Sequence, residues 1–203
     1  MATGQSSKTE NQVSLKGSVE TVTEFFGYAI TNILYQRGIY PSNSFIPTTK
    51  YGISILVSID KALVGYLNRL LSQMTEWLKK GQVQKLVVVI SSMKTKDVLE
   101  RWVFNVETDK DGILPGATRV KSTRDLQAEI QAIMRQITAC VTFLPLLQEP
   151  CTFDLLLYAD TEVLLPDTWE ETDPRYIQAS EEVKLRNFNT SIHKIAPIVS
   201  YRI

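Results

Sequence analysis

Leu86-Val87-Val88-Val89-Ile90 is apolar on both faces, so as a strand it has to lie in the buried centre of a sheet. After a polar connection from Ser91 to Asp97, the residues Val98, Glu100, Trp102, Phe104 and Val106 follow along one side of a second run. The two runs are expected to pair as an antiparallel hairpin. Ile53, Ile55 and Val57 alternate in a shorter run, and Thr152 to Tyr158 places Phe153, Leu155 and Leu157 on one side of another.

A sheet of this kind needs cover, and three segments carry the helical period. The first sets Val19, Val22, Phe25, Phe26, Ala29, Ile30, Ile33 and Leu34 on one stripe, with Ser18 as its cap and Gly38 as its stop. From Asp60 to Gly81, Leu63, Leu67, Leu70, Met74 and Trp77 make a second stripe. The third begins at Ser122 or Thr123 and aligns Leu126, Ile130, Ile133, Ile137 and Val141, broadened by Met134 and Phe143, and it has to end before Pro145. Between sheet and third helix, Asp109 to Thr118 holds Gly112, Pro115 and Gly116 without periodicity and reads as an exposed loop. A chain of 203 residues that is 44% hydrophobic fits one domain. The expected fold is α+β, a mostly antiparallel sheet with three helices packed on one face. Residues 14–203 form that domain, and the polar stretch 1–13 is a flexible arm.

The last forty or so residues combine apolar mass (Trp169, Tyr176, Phe188, Ile192, Ile195, Ile198, Tyr201) with Pro166, Pro174 and Pro197. The prolines are expected to break any long regular element there. An apolar but interrupted tail reads as a segment that wraps a surface.

Catalytic chemistry is hard to find. Lys plus Arg and Asp plus Glu number 22 each, so no net field draws in nucleic acid or an anionic membrane. No glycine-rich phosphate loop occurs, and His193 is the only histidine, with no base or metal partner in its sequence context. Cys140 and Cys151 are too few for a disulfide framework or a zinc site. Asp167, Glu170, Glu171 and Asp173 lack calcium-loop spacing, and Arg119, Lys121 and Arg124 lack interleaved aromatics. The expectation is a soluble, intracellular binding protein with no enzyme activity, metal or cofactor.

Several in-order stretches carry a resemblance: Leu15-Lys16-Gly17-Ser18, Asn32-Ile33-Leu34-Tyr35-Gln36-Arg37-Gly38-Ile39-Tyr40-Pro41, Gln84 to Ile90, Leu99-Glu100-Arg101-Trp102, Arg135-Gln136-Ile137-Thr138-Ala139, Val141 to Leu147, Phe153-Asp154-Leu155-Leu156 and Ile192-His193-Lys194. From about Ser14 to the C-terminus the chain resembles the HORMA-domain family in its spindle-checkpoint branch. That resemblance implies two folded topologies, open and closed. In the closed one a mobile C-terminal safety belt, residues 160–203 here, crosses the sheet and traps an extended partner peptide. The implied partners are the coiled-coil mitotic-arrest-deficient kinetochore scaffold, the activator subunit of the anaphase-promoting complex and a pseudokinase-type checkpoint subunit. An ATP-driven remodeller with a HORMA-like adaptor, acting on the N-terminus, and an open-closed homodimer complete the set. The implied location is nucleus, kinetochore and cytoplasm.

By the same resemblance, peptide binding falls to Trp77, Phe153, Leu155, Leu157, Tyr158, Trp169, Ile192, His193, Ile195 and Tyr201. Self-association falls to Arg135, Gln136 and Phe143, and conformer switching to Leu15. Taken alone, Trp77 reads as a core residue at the end of a helical stripe, an aromatic at Phe143 is more often core, and Arg135 and Gln136 read as solvated helix positions. The alternative within the family is an accessory subunit of a translesion DNA polymerase, clasping other peptides.

Overall fold

The computed structural model describes residues 14–109, 121–160, 163, 169 and 171–203. In chain order its elements are α1 (Leu15–Gln36), β1 (Phe45–Lys50), β2 (Ile53–Ser58), α2 (Lys61–Lys79), β3 (Val83–Ser92), β4 (Val98–Thr108), α3 (Thr123–Ala139), β5 (Cys151–Ala159), β6 (Ser180–Lys184), β7 (Phe188–Asn189) and β8 (His193–Arg202). The expectations for the arm 1–13 and for most of the loop at 109–118 fall outside the described residues.

Two helices begin where short polar side chains can satisfy the free N–H groups of the first turn. Asp60 Oδ1 accepts from Leu63 N at 2.8 Å, and Ser122 Oγ accepts from Asp125 N at 3.1 Å. The first helix corrects the expectation. Its cap is Ser14, whose Oγ accepts from Gly17 N at 3.1 Å, one turn earlier than Ser18. Ser18 is fully buried inside the helix, because the tail packs against that turn. At the other ends, Gly38 and Gly81 both take φ of +65°, the left-handed geometry that closes a helix.

The main sheet has the order β5-β3-β4-β8-β6, with β7 also pairing with β8, and all pairs are antiparallel. Leu86 to Ile90 occupy the interior strand β3 and are fully buried, as their two-sided apolar character demands. Strand β3 runs on through Ser91 and Ser92, which the sequence pattern assigned to the connection. Ser92 still serves the turn, since its Oγ accepts from Lys94 N and Thr95 N.

One face of the sheet carries the helices. Leu86, Val88, Ile90, Trp102, Phe104, Leu155, Ile195 and Val199 join the stripes of α1, α2 and α3 in the principal core. Phe25, at the middle of α1, packs edge-on against Phe188 (4.9 Å) and Phe104 (5.9 Å). On the opposite face Val87, Val89 and Leu156 form a smaller buried cluster.

Three further features correct the sequence reading. Strand β1 was not anticipated; it pairs with β2 through a two-residue turn at Tyr51 (φ +52°) and Gly52 (φ +71°). Tyr51 holds this geometry because its hydroxyl donates to Glu24 and its carbonyl accepts from Gln131. After α3 a 3-10 turn at Cys140–Thr142 shortens the period, so Cys140 points inward and Val141 is exposed. Pro197 lies within the ten-residue strand β8. Its carbonyl accepts from Leu185 N, so its missing donor faces the same outer side, in the gap between the β7 ladder (194–195) and the β6 ladder (198–202). No ladder bond toward β4 is lost.

Candidate functional site

Strand β5 is one of the two outer strands of the sheet, β6 being the other. Its ladder runs to β3, from Val83 opposite Ala159 to Ser92 opposite Cys151, and among the described residues no strand pairs with its other edge. An open edge of nine residues presents unpaired backbone donors and acceptors, which is the template for adding an extended peptide.

Side chains of β5 alternate across this edge. Leu155 is buried in the principal core and Phe153 and Leu157 pack against it, whereas Leu156 belongs to the opposite cluster. Tyr66 of α2 and Tyr40 each meet Phe153 edge-on at 6.1 Å. Tyr158 carries Lys85 Nζ 4.2 Å from its ring, and its buried hydroxyl has no hydrogen-bond partner among the described residues. Two cavities flank the edge. One of about 360 Å³ is lined by Trp77, Leu157, Tyr158, Val163 and Trp169, and one of about 710 Å³ by Tyr66, Arg69, Leu70, Asp154, Trp169 and Arg175. Trp77 and Trp169 meet at 5.3 Å across the first. Trp77 is 4% exposed, so it serves core and cavity at once.

Downstream of β5 the chain crosses the sheet face that carries no helix. Arg175 donates to the Asp154 carboxylate on β5, Tyr176 lies over Arg101 on β4, and β6 then pairs with β8 at the far side. The open edge of β5 therefore lies between α2 on one side and a crossing segment on the other.

Six of the residues assigned to peptide binding, Trp77, Phe153, Leu155, Leu157, Tyr158 and Trp169, converge on this edge. The other four do not. Ile192, His193, Ile195 and Tyr201 stand on or beside β8, separated from β5 by β3 and β4. Ile195 is buried between Val106 and Phe188, and the Tyr201 hydroxyl donates to Glu181. Arg135 and Gln136 lie on the last turns of α3, where Gln136 Oε1 accepts from Arg186 N at 2.7 Å. Phe143 (46% exposed) and Leu146 (79%) project just beyond them. Leu15 is the exposed first residue of α1. No group of three or more His, Cys, Asp or Glu among the described residues could hold a metal ion, and no described helix is long and apolar enough to cross a membrane.

Sequence reasoning missed what surrounds His193. The Thr190 hydroxyl donates to the His193 carbonyl at 3.1 Å, and Ser18 Oγ lies 2.5 Å from Thr190 Oγ1 and 2.7 Å from His193 Nδ1. Which of these groups donates is set by the tautomer of His193, whose Nε2 is buried without a hydrogen-bond partner among the described residues. This polar cluster ties the first turns of α1 to the start of β8, and only spatial proximity, not local pattern, reveals it. Burial holds the imidazole below its ordinary value, against a smaller upward pull from the Leu78 backbone.

A depressed histidine stabilises the docked state above its ordinary pKa near 6.5, and that contribution is lost as pH falls through this value toward the folded one. The protection factors of β8 amides, taken relative to intrinsic exchange at each pH, are therefore expected to fall between pH 7.5 and 5.5, by up to about tenfold per pH unit below about 6.5. His193→Asn should flatten this dependence. The difference between the two proteins isolates His193 from Glu100, whose carboxyl burial pushes upward and which titrates with the opposite sign.

Against known proteins, the HORMA domain profile matches residues 18–193. The mitotic spindle assembly checkpoint protein MAD2A of Dictyostelium discoideum is 54% identical over 196 residues, covering 96% of this chain and 95% of its own length. The protein of the same description from Homo sapiens is 51% identical over 194 residues, covering 96% and 95%. A chain in the crystal structure of the mitotic checkpoint complex superposes with a TM-score of 0.83 at 45% identity, over 92% of this chain and 99% of that one. The matched span takes in α1, the sheet with its open edge and the crossing segment, and this chain belongs to the HORMA-domain family, among its mitotic spindle checkpoint proteins.

Proposed function

We propose that this chain is a spindle-checkpoint adaptor without catalytic activity: it captures an extended partner peptide along the free edge of β5 and closes residues 160–203 over it. The observation that carries the reading is the open edge of β5 held between the Trp77–Trp169 wall and a segment that crosses the sheet. Backbone ladder bonds supply affinity, and the flanking cavities take alternate side chains of the ligand. With β8 on β4 and β5 unpaired, the arrangement corresponds to the closed topology; an open one requires β8 to leave β4.

The partners of this reading are the coiled-coil kinetochore scaffold and the activator of the anaphase-promoting complex, whose sequestration delays anaphase. A pseudokinase-type subunit, an ATP-driven remodeller with its adaptor, and an open copy of the same chain act on the closed form in nucleus, kinetochore and cytoplasm. The exposed end of α3 suits the last of these contacts: Phe143 and Leu146 offer apolar surface, and Gln136 is fixed by the loop between β6 and β7.

Two measurements test the reading on one pair of proteins. The wild-type chain should separate into two slowly exchanging species, one of which disappears when a synthetic peptide from the activator's binding segment is added. Arg135→Glu with Gln136→Ala should weaken self-association at least tenfold in sedimentation while peptide affinity stays within about twofold, because charge reversal disturbs an exposed contact more than a core. Failure of the wild-type chain to bind the peptide would remove the adaptor reading.

A further inference from the structure

The crossing segment meets the sheet along a single row of side chains. Asp154 on β5 stands opposite Val89 on β3, Val89 opposite Arg101 on β4, Arg101 opposite Ser200 on β8, and Ser200 opposite Glu182 on β6. Two consecutive residues of the crossing segment engage this row. Arg175 donates to the Asp154 carboxylate, and the Arg101 guanidinium lies 4.7 Å from the centroid of the Tyr176 ring.

Arg101 is an unusual residue to find there. It is 7% exposed, and among the described residues its Nε has no hydrogen-bond partner and no carboxylate pairs with it. Burying a cation is costly, and among the described residues the Tyr176 ring is the favourable neighbour that faces it. Arg175 in turn takes a left-handed φ of +51°, an uncommon geometry for a residue other than glycine. That geometry lets adjacent side chains reach strands that are not neighbours in the sheet.

We propose that Asp154–Arg175 and Arg101–Tyr176 form a two-part buckle that pins residues 171–179 across the sheet and sets how long a threaded peptide is retained. The second half rests on the peptide-capture reading above; the first does not. An occupant of the β5 edge cannot leave sideways while the segment lies over it, so release waits for the buckle to open. The two parts differ physically. Arg175 and Asp154 are about half exposed, at 40% and 47%, so their pairing is screened by salt. The Arg101–Tyr176 stack is sheltered from solvent on the Arg101 side and should respond little to salt.

Limited proteolysis of the full chain without peptide, by a protease with little side-chain preference, tests the first half. Arg175→Gln should speed cleavage within residues 171–179 about threefold at low salt, with the difference gone at about 1 M salt. Tyr176→Ala should speed it about threefold to thirtyfold at both salt levels, and Tyr176→Phe, which keeps the ring, should cleave at the wild-type rate. Amide hydrogen exchange of the β3–β4 ladder should stay unchanged in all three, which excludes general destabilisation. Unchanged cleavage in Tyr176→Ala would overturn the buckle. For the second half, release of a labelled activator peptide from preformed complexes should accelerate in Tyr176→Ala by the same factor as its cleavage. Release at the wild-type rate would overturn the link to retention, whereas a wild-type chain that never holds the peptide would instead overturn the capture reading.

Discussion

Arg37→Met should lower stability by about 3–5 kcal/mol at neutral pH, because it leaves a buried carboxylate without its counter-ion. Arg37, at the C-terminal end of α1, donates from Nε to both oxygens of Glu100 at 2.8 and 3.1 Å, and the two side chains are 3% and 2% exposed. Trp102 Nε1 adds a bond to the same carboxylate at 3.2 Å, and Arg37 also donates to the Pro145 carbonyl. Burial pushes the Glu100 carboxyl upward, while Arg37 and Trp102 pull it down.

Without Arg37 the upward push stands almost alone. Glu100 then has a folded pKa well above its unfolded value near 4.3, so the folded state keeps its stability at low pH and loses it as pH rises through the folded value. Urea titrations of the variant should accordingly show partial recovery at pH 5.5 relative to pH 7.5. Adding Glu100→Gln should restore much of the loss at pH 7.5, since the amide oxygen still accepts from Trp102 and carries no charge. A single variant within about 1 kcal/mol of wild type at pH 7.5 would show that the pair is solvated. The anchor has a second effect. Pro145 follows Phe143 and precedes Leu146, so loosening it should also blur the exposed surface at the end of α3.

Removing residues 195–203 should abolish peptide capture, with affinity falling at least a hundredfold, while α1, α2, α3 and the strands β5, β3 and β4 remain folded. The deletion takes Ile195 and Val199 out of the core, and each such side chain contributes about 1.5–3 kcal/mol when fully buried. That is a large share of the roughly 5–15 kcal/mol that stabilises a typical domain. The remaining helices and strands, however, keep the stripes that pack on the central strand β3. The capture function has no such reserve. Strand β6 is held through β8, so deleting β8 frees the far end of the crossing segment and nothing closes over an occupant of β5. A few kcal/mol suffices to shift such a two-state equilibrium almost completely. Hydrogen exchange and peptide titration on the truncated chain check both halves. Global unfolding would mean that the tail is a static part of the core, and retained tight binding would rule out the belt.

Local pattern was enough to find α1, α2 and α3 and the β3–β4 hairpin, and to identify Thr152 to Tyr158 as a strand. In each case the partner surface is written into the element itself: a stripe at 3.6 residues has to face a core, and Leu86 to Ile90 have to be covered twice. The resemblance quoted from Leu15 to Lys194 carried the family. Tertiary structure alone decided the rest. An extended strand displays the same free backbone groups to every candidate neighbour, so nothing local says that β8 joins β4 rather than β5, or that Pro197 fits because its missing N–H faces a gap between two ladders. For the same reason nothing local shows that Ile192, His193, Ile195 and Tyr201, given to peptide binding by the resemblance, stand on or beside β8 away from the β5 edge, or that Arg101, Asp154, Arg175 and Tyr176 come together. Their meeting depends on the register of four strands and on where a crossing segment happens to turn, and both are set by long-range pairing that no sequence window contains.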